Sequence, residues 1–422
     1  MLSGIAAERV PTLSRICNST PERVPTLSGI CNSAPDHGFI IRLIIQLLFI
    51  ILNCLILCGC ITEYEAAGID EISDILVVEG IITDDESTII LSRSVNLSEG
   101  FSGFYYINDA AVYVECEDGT LFQADIPIWQ LGSHNGRYTI KTGPLDPEQR
   151  YRLKIEIEEM DYGSGECSFD AWDMIRCPTI TYEYCSDFSY PIKTPEIDSI
   201  FWTKRSRGQP VLIQVATHSP DNSVLYCRWS YREDWEIRSE YWLDAYPYYC
   251  WGMSNSREIL LGSAEKTVSG RLTDILTEIF PSDRKLSVLY RIDVTQNAIS
   301  KRAYDYLANV KKNAELTGSI FAPVPSELRG NITCTTDPDK PVIGYVDIST
   351  TTQKRRYVSG REVYERPSSY CRLHTLEELQ EMFEEIDWRY WVLYNDKYIY
   401  VTCVDCTWYG ITQKPDDWPN SY

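Results

Sequence analysis

The residues best equipped for chemistry lie near the C-terminus. Cys371-Arg372-Leu373-His374 and Cys403-Val404-Asp405-Cys406 form a C-x2-H…C-x2-C pattern, a spacing that suits a Cys3His zinc site built from Cys371, His374, Cys403 and Cys406. The same sulfurs can instead bridge Cys371 to Cys403 or to Cys406, leaving His374 an ordinary residue before a helix. The apolar leader at 39–59 implies export to an oxidising compartment, which favours the bridge over free thiolates. Upstream, Cys227 and Cys250 stand close to Trp229 and Trp251 and read as a disulfide stapling two strands against indole rings. Cys167, Cys177 and Cys185 read as ties on a linker, with Cys116 as the fourth partner on offer. One sequence does not fix the connectivity.

Between positions 235 and 251 the chain gathers Trp235, Tyr241, Trp242, Tyr246, Tyr248, Tyr249 and Trp251. Such rings suit sugars, peptides or a partner protein, and equally suit the filling of a core. Catalytic constellations are scarce. His134, His218 and His374 sit in unrelated contexts, and there is no HExxH, Gly-x-Ser-x-Gly or phosphate loop. The pairs Asp84-Asp85, Glu384-Glu385 and Asp416-Asp417 are adjacent and read as solubilising, because acid–base pairs converge through the fold. No catalytic residue, no cofactor and no enzymatic activity are expected.

A different chemistry is written at positions 39–60, FIIRLIIQLLFIILNCLILCGC. Arg42 precedes an apolar run that ends in Leu57-Cys58-Gly59-Cys60. The segment resembles a bacterial lipoprotein signal peptide, with residues 39–59 as leader and Cys60 as the lipidated residue. Acyl chains such as palmitate on one cysteine give lasting anchorage, each buried methylene contributing about 0.8 kcal/mol. A membrane-spanning helix is the competing reading. Against it, Glu63, Glu65, Asp70 and Glu71 follow the run where a stop-transfer segment carries Lys or Arg. Residues 1–38 repeat Glu-Arg-Val-Pro-Thr-Leu-Ser and read as translated upstream DNA, with the true start near Ile40.

The elements that must position these groups are mostly strands. The chain has 422 residues, 12% aromatic, with 29 Tyr and 11 Trp, a composition that leans towards β structure. A net charge of −22 argues against nucleic acid, which needs clustered Lys and Arg. Removing residues 1–59 takes away four arginines and three acids, leaving −23, and such a body is repelled by anionic headgroups. After an acidic tether at 60–73, alternation over Ile75–Gly80, Ser87–Ser92, Ala110–Cys116, Gly136–Ile140 and Tyr151–Ile157 predicts an N-terminal sandwich of immunoglobulin or prealbumin type over 74–160. A Cys-rich linker at 161–197 leads to a larger β-rich domain over 198–422. It carries helices near 296–316 and 375–386, the second opened by a Thr375/Glu378 capping box.

The order of segments resembles a Bacteroidota family catalogued as domain of unknown function 4249. The shared string runs from Cys60–Glu65 through Val77–Thr83, Cys227-Arg228-Trp229, Cys250-Trp251 and Tyr290-Arg291. It continues through Ala303–Leu307, Thr317–Pro325, Gly330-Asn331-Ile332 and Val342–Tyr345 to Cys403–Cys406 and Lys414–Pro419. Tyr409-Gly410 stands where two adjacent glycines are usual. The resemblance implies a surface-facing outer-membrane lipoprotein working beside a TonB-dependent receptor as a non-enzymatic ligand-capture accessory. An adhesin or envelope-structural lipoprotein, and more remotely a surface hydrolase, are the alternatives.

Overall fold

The computed structural model describes residues 74–94, 105–125, 135–161, 167–169, 175–220, 223–265, 267, 270–281, 283–316, 330–363 and 371–419. Cys60, its leader and its tether lie outside them, as does the motif at 317–325. Among the described residues, no helix is long and apolar enough to cross a membrane.

The chain is mainly β. The first strands are β1 (Leu76–Thr83), β2 (Glu86–Arg93), β3 (Tyr105–Tyr106), β4 (Ala111–Cys116), β5 (Leu121–Asp125), β6 (Arg137–Lys141) and β7 (Tyr151–Met160). A short hairpin follows, β8 (Ser168–Phe169) with β9 (Ile175–Arg176), then β10 (Thr179–Ser186). β11 (Ile197–Thr203), β12 (Val211–His218), β13 (Tyr226–Arg238), β14 (Tyr249–Asn255), β15 (Leu260–Ser263), β16 (Arg271–Ile279) and β17 (Leu289–Ala298) precede helix α1 (Lys301–Leu316). Beyond it come β18 (Ile332–Cys334), β19 (Val342–Gly344), β20 (Ile348–Ser349), β21 (Thr351–Ser359), α2 (Gly360–Val363), α3 (Leu376–Met382), β22 (Trp391–Tyr394) and β23 (Lys397–Tyr400).

The first sheet runs β18-β10-β7-β4-β5-β6-β2-β1-β19, with β3 on β2 and β20 on β1. Its period-two pattern explains it: β7 buries Tyr151, Leu153, Ile155 and Ile157 and turns Arg152, Lys154 and Glu156 outward. Those residues share one core with Leu76, Ile89, Val112 and Ile140 from the other arm of the path, so the sheet closes on itself as a sandwich. The second sandwich sets β11-β12-β16 against β14-β13-β17-β21, with β15 also on β13. Ile213, Val215, Trp229, Tyr290 and Ile292 fill the space between.

The boundaries expected at 160 and 198 differ from this arrangement. β10 lies inside the supposed linker yet pairs with β7 from Thr179–Met160 to Cys185–Lys154. β18, β19 and β20 come from the supposed second domain yet complete the first sheet, pairing with β10 and, in parallel, with β1. Residues 70–422 cluster as one compact unit. Cys and Ser obscured the alternation of β10, and parallel pairing to a strand some 250 residues away has no local signal.

Helix α1 starts at Lys301, because β17 holds the chain extended to Ala298. α1 packs Ala303, Tyr304 and Leu307 on Tyr226 and Ile81. The capping box on α3 is formed on both sides, Thr375 Oγ1 accepting from Glu378 N and Glu378 from Thr375 N. The helix stops at Met382, and of its expected apolar face only Leu379 is buried; Leu376, Met382 and Phe383 face solvent.

Candidate functional site: a disulfide-pinned aromatic surface

β13 carries the chain from the second core out to Arg238, and the loop 239–248 returns it through β14. Two contacts close the loop on itself: Ser239 N donates to Tyr248 O at 3.0 Å, and Ser239 Oγ to Pro247 O at 3.2 Å. Glu240 N and Tyr241 N both donate to Cys403 O, at 2.9 and 3.0 Å. The loop is therefore fastened to the C-terminal segment, which is itself bonded covalently.

Among the described residues three disulfides form: Cys167–Cys177, Cys250–Cys406 and Cys371–Cys403. Cys371–Cys403 lies in a small core of Ile399, Cys403 and Val404 against Tyr241, Tyr246, Leu373 and Val392, and Cys250–Cys406 lies in a second one with Ile237 and Trp235. So few apolar groups cannot hold a hairpin in place alone, and covalent closure supplies the missing stability.

The bridge expected between Cys227 and Cys250 does not form. Cys250 lies opposite Ile237, ten residues along β13 from Cys227, which is about 33 Å of strand. Cys227 is instead a free thiol in the second core, and burial pushes it up to about 12. Cys116, Cys185 and Cys334 are likewise free and buried. Thus Cys185 and Cys116 do not join the tie at Cys167–Cys177. The zinc alternative is overturned as well: Cys371, Cys403 and Cys406 are all consumed in disulfides, so no thiolate is left to bind a metal. His374 presents Nδ1 to Glu378 at 3.5 Å and packs edge-on against Trp391.

The aromatic block divides in two. Trp235 lies over Gly252, where an added Cβ would fall 2.2 Å from the indole, and Lys285 Nζ sits 4.9 Å from its ring. Tyr241 and Tyr246 fill the small C-terminal core, Tyr241 edge-on to Tyr394. Trp251 is half-buried, its backbone paired with Ile411. These four are structural. Trp242, Tyr248 and Tyr249 form a surface ladder, with centroids 5.0 and 4.8 Å apart. Arg238 lies 5.5 Å over the ring of Tyr249. Trp242 is 57% exposed, and its Nε1 donates to Asp244 at 2.7 Å.

A second set escaped notice in the sequence because its members are scattered. Tyr390 and Tyr400 stack at 5.8 Å, Tyr390 also meets Trp408, and Trp388 meets Tyr398. Trp388, Tyr400 and Trp408 are all exposed. The aromatic density of 388–408 was the available signal.

Charges are organised around Arg291, which is buried and donates to Asp234 at 2.7 and 3.2 Å. The C-terminal Asp417 pairs with both Arg291 and Arg355, and these hold its carboxyl down at about 2. Trp418 is buried 5.4 Å over the Arg291 guanidinium. Asp417 is thus a clamp on the sheet, where adjacency to Asp416 had suggested mere solubility. On the opposite face of β13, Glu233 accepts from Tyr290 Oη at 2.8 Å and pairs with Lys285. Burial, then the Glu233 charge, pushes the Tyr290 hydroxyl well above its ordinary value. Five charged or acidic positions in Arg232–Glu236 and Arg238 on one strand were the hint, since alternation cannot place all of them in water.

Two paired-sheet layers, with three disulfides and an exposed ladder of rings among the described residues, define a β-sandwich protein. The family described as Domain of unknown function (DUF4249) matches residues 61–173 and 174–355, and the chain belongs to that family. No curated protein matches it.

Proposed function

We propose that this chain is a lipid-anchored, surface-exposed outer-membrane protein that captures a ligand and passes it to a TonB-dependent receptor, without catalysing a reaction. The observation that carries this reading is the Trp242–Tyr248–Tyr249 ladder, left in solvent while its loop is pinned by Cys250–Cys406 and by the Cys403 carbonyl. Rigid, exposed rings lose little entropy when they contact a ligand. The leader ending at Cys60 supports the anchor, and the acidic body supports a stance away from the bilayer. Tethering beside a channel raises the effective concentration of whatever is handed over. Affinity purification from native membranes is the test: a receptor recovered with the wild type and lost with Trp242→Ala/Tyr249→Ala is expected. Recovery of no receptor would sink the accessory role, and an unacylated Cys60 in mass spectra of the processed protein would sink the anchor.

The exposed rings Trp388, Tyr400 and Trp408 favour one second reading, an adhesin that grips a macromolecule. In that case a deletion strain loses attachment while nutrient uptake is unchanged.

A further inference from the structure

The outer face of the β22–β23 hairpin is apolar, where a sheet face turned to water is ordinarily polar. Pairing sets Trp391 opposite Tyr400 and Leu393 opposite Tyr398 on that face, while Val392 and Ile399 turn into the small core. Leu393 is 57% exposed, and Tyr400 is exposed as well. Ring contacts extend the face sideways. Phe383 meets Trp391 at 6.0 Å, Trp388 meets Tyr398 at 5.1 Å, and Tyr390 links Tyr400 to Trp408. Among the described residues, nine of the nineteen exposed large hydrophobic side chains fall between Leu376 and Ile411. Single exposed apolar residues are ordinary, but a contiguous patch marks a contact surface.

The patch is rigid before anything meets it. Cys371–Cys403 ties down the chain ahead of the hairpin, and His374 and Tyr398 exchange both backbone hydrogen bonds, at 2.8 and 2.7 Å. A surface fixed in advance loses little entropy on docking. Charge decides what covers it. Residues 371–411 carry eight carboxylates against three Lys or Arg, a net −5 with His374 neutral. Glu381, Glu384 and Glu385, next to Phe383 in the chain, are exposed, whereas Arg389 is committed to Asp387 at 2.6 Å. An apolar centre with an acidic rim disfavours a second copy, because two-fold pairing sets like rim against like. Anionic headgroups are repelled too. A protein surface of opposite sign is attracted.

We propose that this face docks a different protein, through an apolar patch on that partner rimmed by Lys and Arg. Trp388, Leu393 and Tyr400 fill the centre of the contact, and Glu384 and Glu385 meet the cations. The inference goes beyond the capture reading and shares no residue with the ladder. The probe is a synthetic amphipathic peptide with a Leu/Trp face and a Lys rim, compared with a Glu-rimmed peptide of the same apolar face. Calorimetry on the full-length protein in neutral-lipid nanodiscs, with empty discs as the blank, should show binding of the Lys-rimmed peptide only, weakening between about 0.05 and 0.5 M salt. Leu393→Ser with Trp388→Ala should weaken it at least about tenfold. Glu384→Lys with Glu385→Lys should reverse the preference between the two peptides, a result that misfolding does not produce. Equal binding of both peptides, or an unchanged preference after the charge reversal, would overturn the proposal. So would binding of the protein to anionic vesicles through Leu393, or a dimer in sedimentation that Leu393→Ser dissolves. Receptor co-purification reads the capture role independently, so the two failures are distinguishable.

Discussion

Arg291 shows what a single side chain does in this sheet. It is fully desolvated, and without it Asp234, equally buried, would keep only the half-exposed Arg232 as a partner. Arg291→Met should therefore destabilise the protein by about 3–5 kcal/mol in urea titration, as expected for one half of a buried pair. Asp417 is different, because it is half exposed and water screens the clamp. Asp417→Asn should cost no more than about 1 kcal/mol at pH 7. The sign follows from its depressed carboxyl: charged Asp417 stabilises above the unfolded carboxylate range, and that stability is lost as pH falls from about 4 towards 2. Wild type and Asp417→Asn should thus converge in melting temperature on acidification. The sulfurs make a separate expectation: non-reducing peptide mapping should recover 167–177, 250–406 and 371–403, and alkylation after denaturation should label Cys116, Cys185, Cys227 and Cys334.

At the scale of elements, the β22–β23 hairpin and its flanking turns are held by two bridges and a minimal core. Cys371→Ala with Cys403→Ala opens a loop of 32 residues, worth about 3–4 kcal/mol in a chain-entropy account. The loss should be local. Hydrogen exchange should rise across 371–405 and in the loop 239–248 that hangs on Cys403 O, while β1, β7 and β12 keep their protection. Loss of protection throughout would show that the hairpin is integral to the second sandwich. Strand positions and the α3 cap were legible locally, because alternation and the Thr375/Glu378 spacing are short-range signals. The exposure of Leu376, Met382 and Phe383 was not, because an amphipathic pattern states which residues want cover and not whether a partner is there.

For the whole molecule, the first sandwich depends on chain that arrives late. Val342–Gly344 and Ile348–Ser349 flank β1, and Ile332–Cys334 closes the far edge on β10. A fragment of residues 74–160 should consequently remain unfolded or aggregate through its exposed edges. Adding 161–197 alone should not rescue it, whereas 70–422 should melt cooperatively. Calorimetry and proton spectra would show this, and a cooperative transition in the 74–160 fragment would contradict it.

What residue order alone determined is everything that operates over a few neighbours: the predominance of strands, the capping box, the leader-like run before Cys60 and the family string. The Cys371–Cys403 bridge was one of two alternatives, and the tertiary structure chose between them. It also decided that Cys227 stays a thiol, that Trp235 packs while Trp242 faces water, and that Asp417 grips Arg291. Each of those depends on which strand lies beside which, and such pairing is settled by burial summed over distant segments. Local pattern measures the tendency of a residue to be buried; only the closed sheet fixes what it meets there.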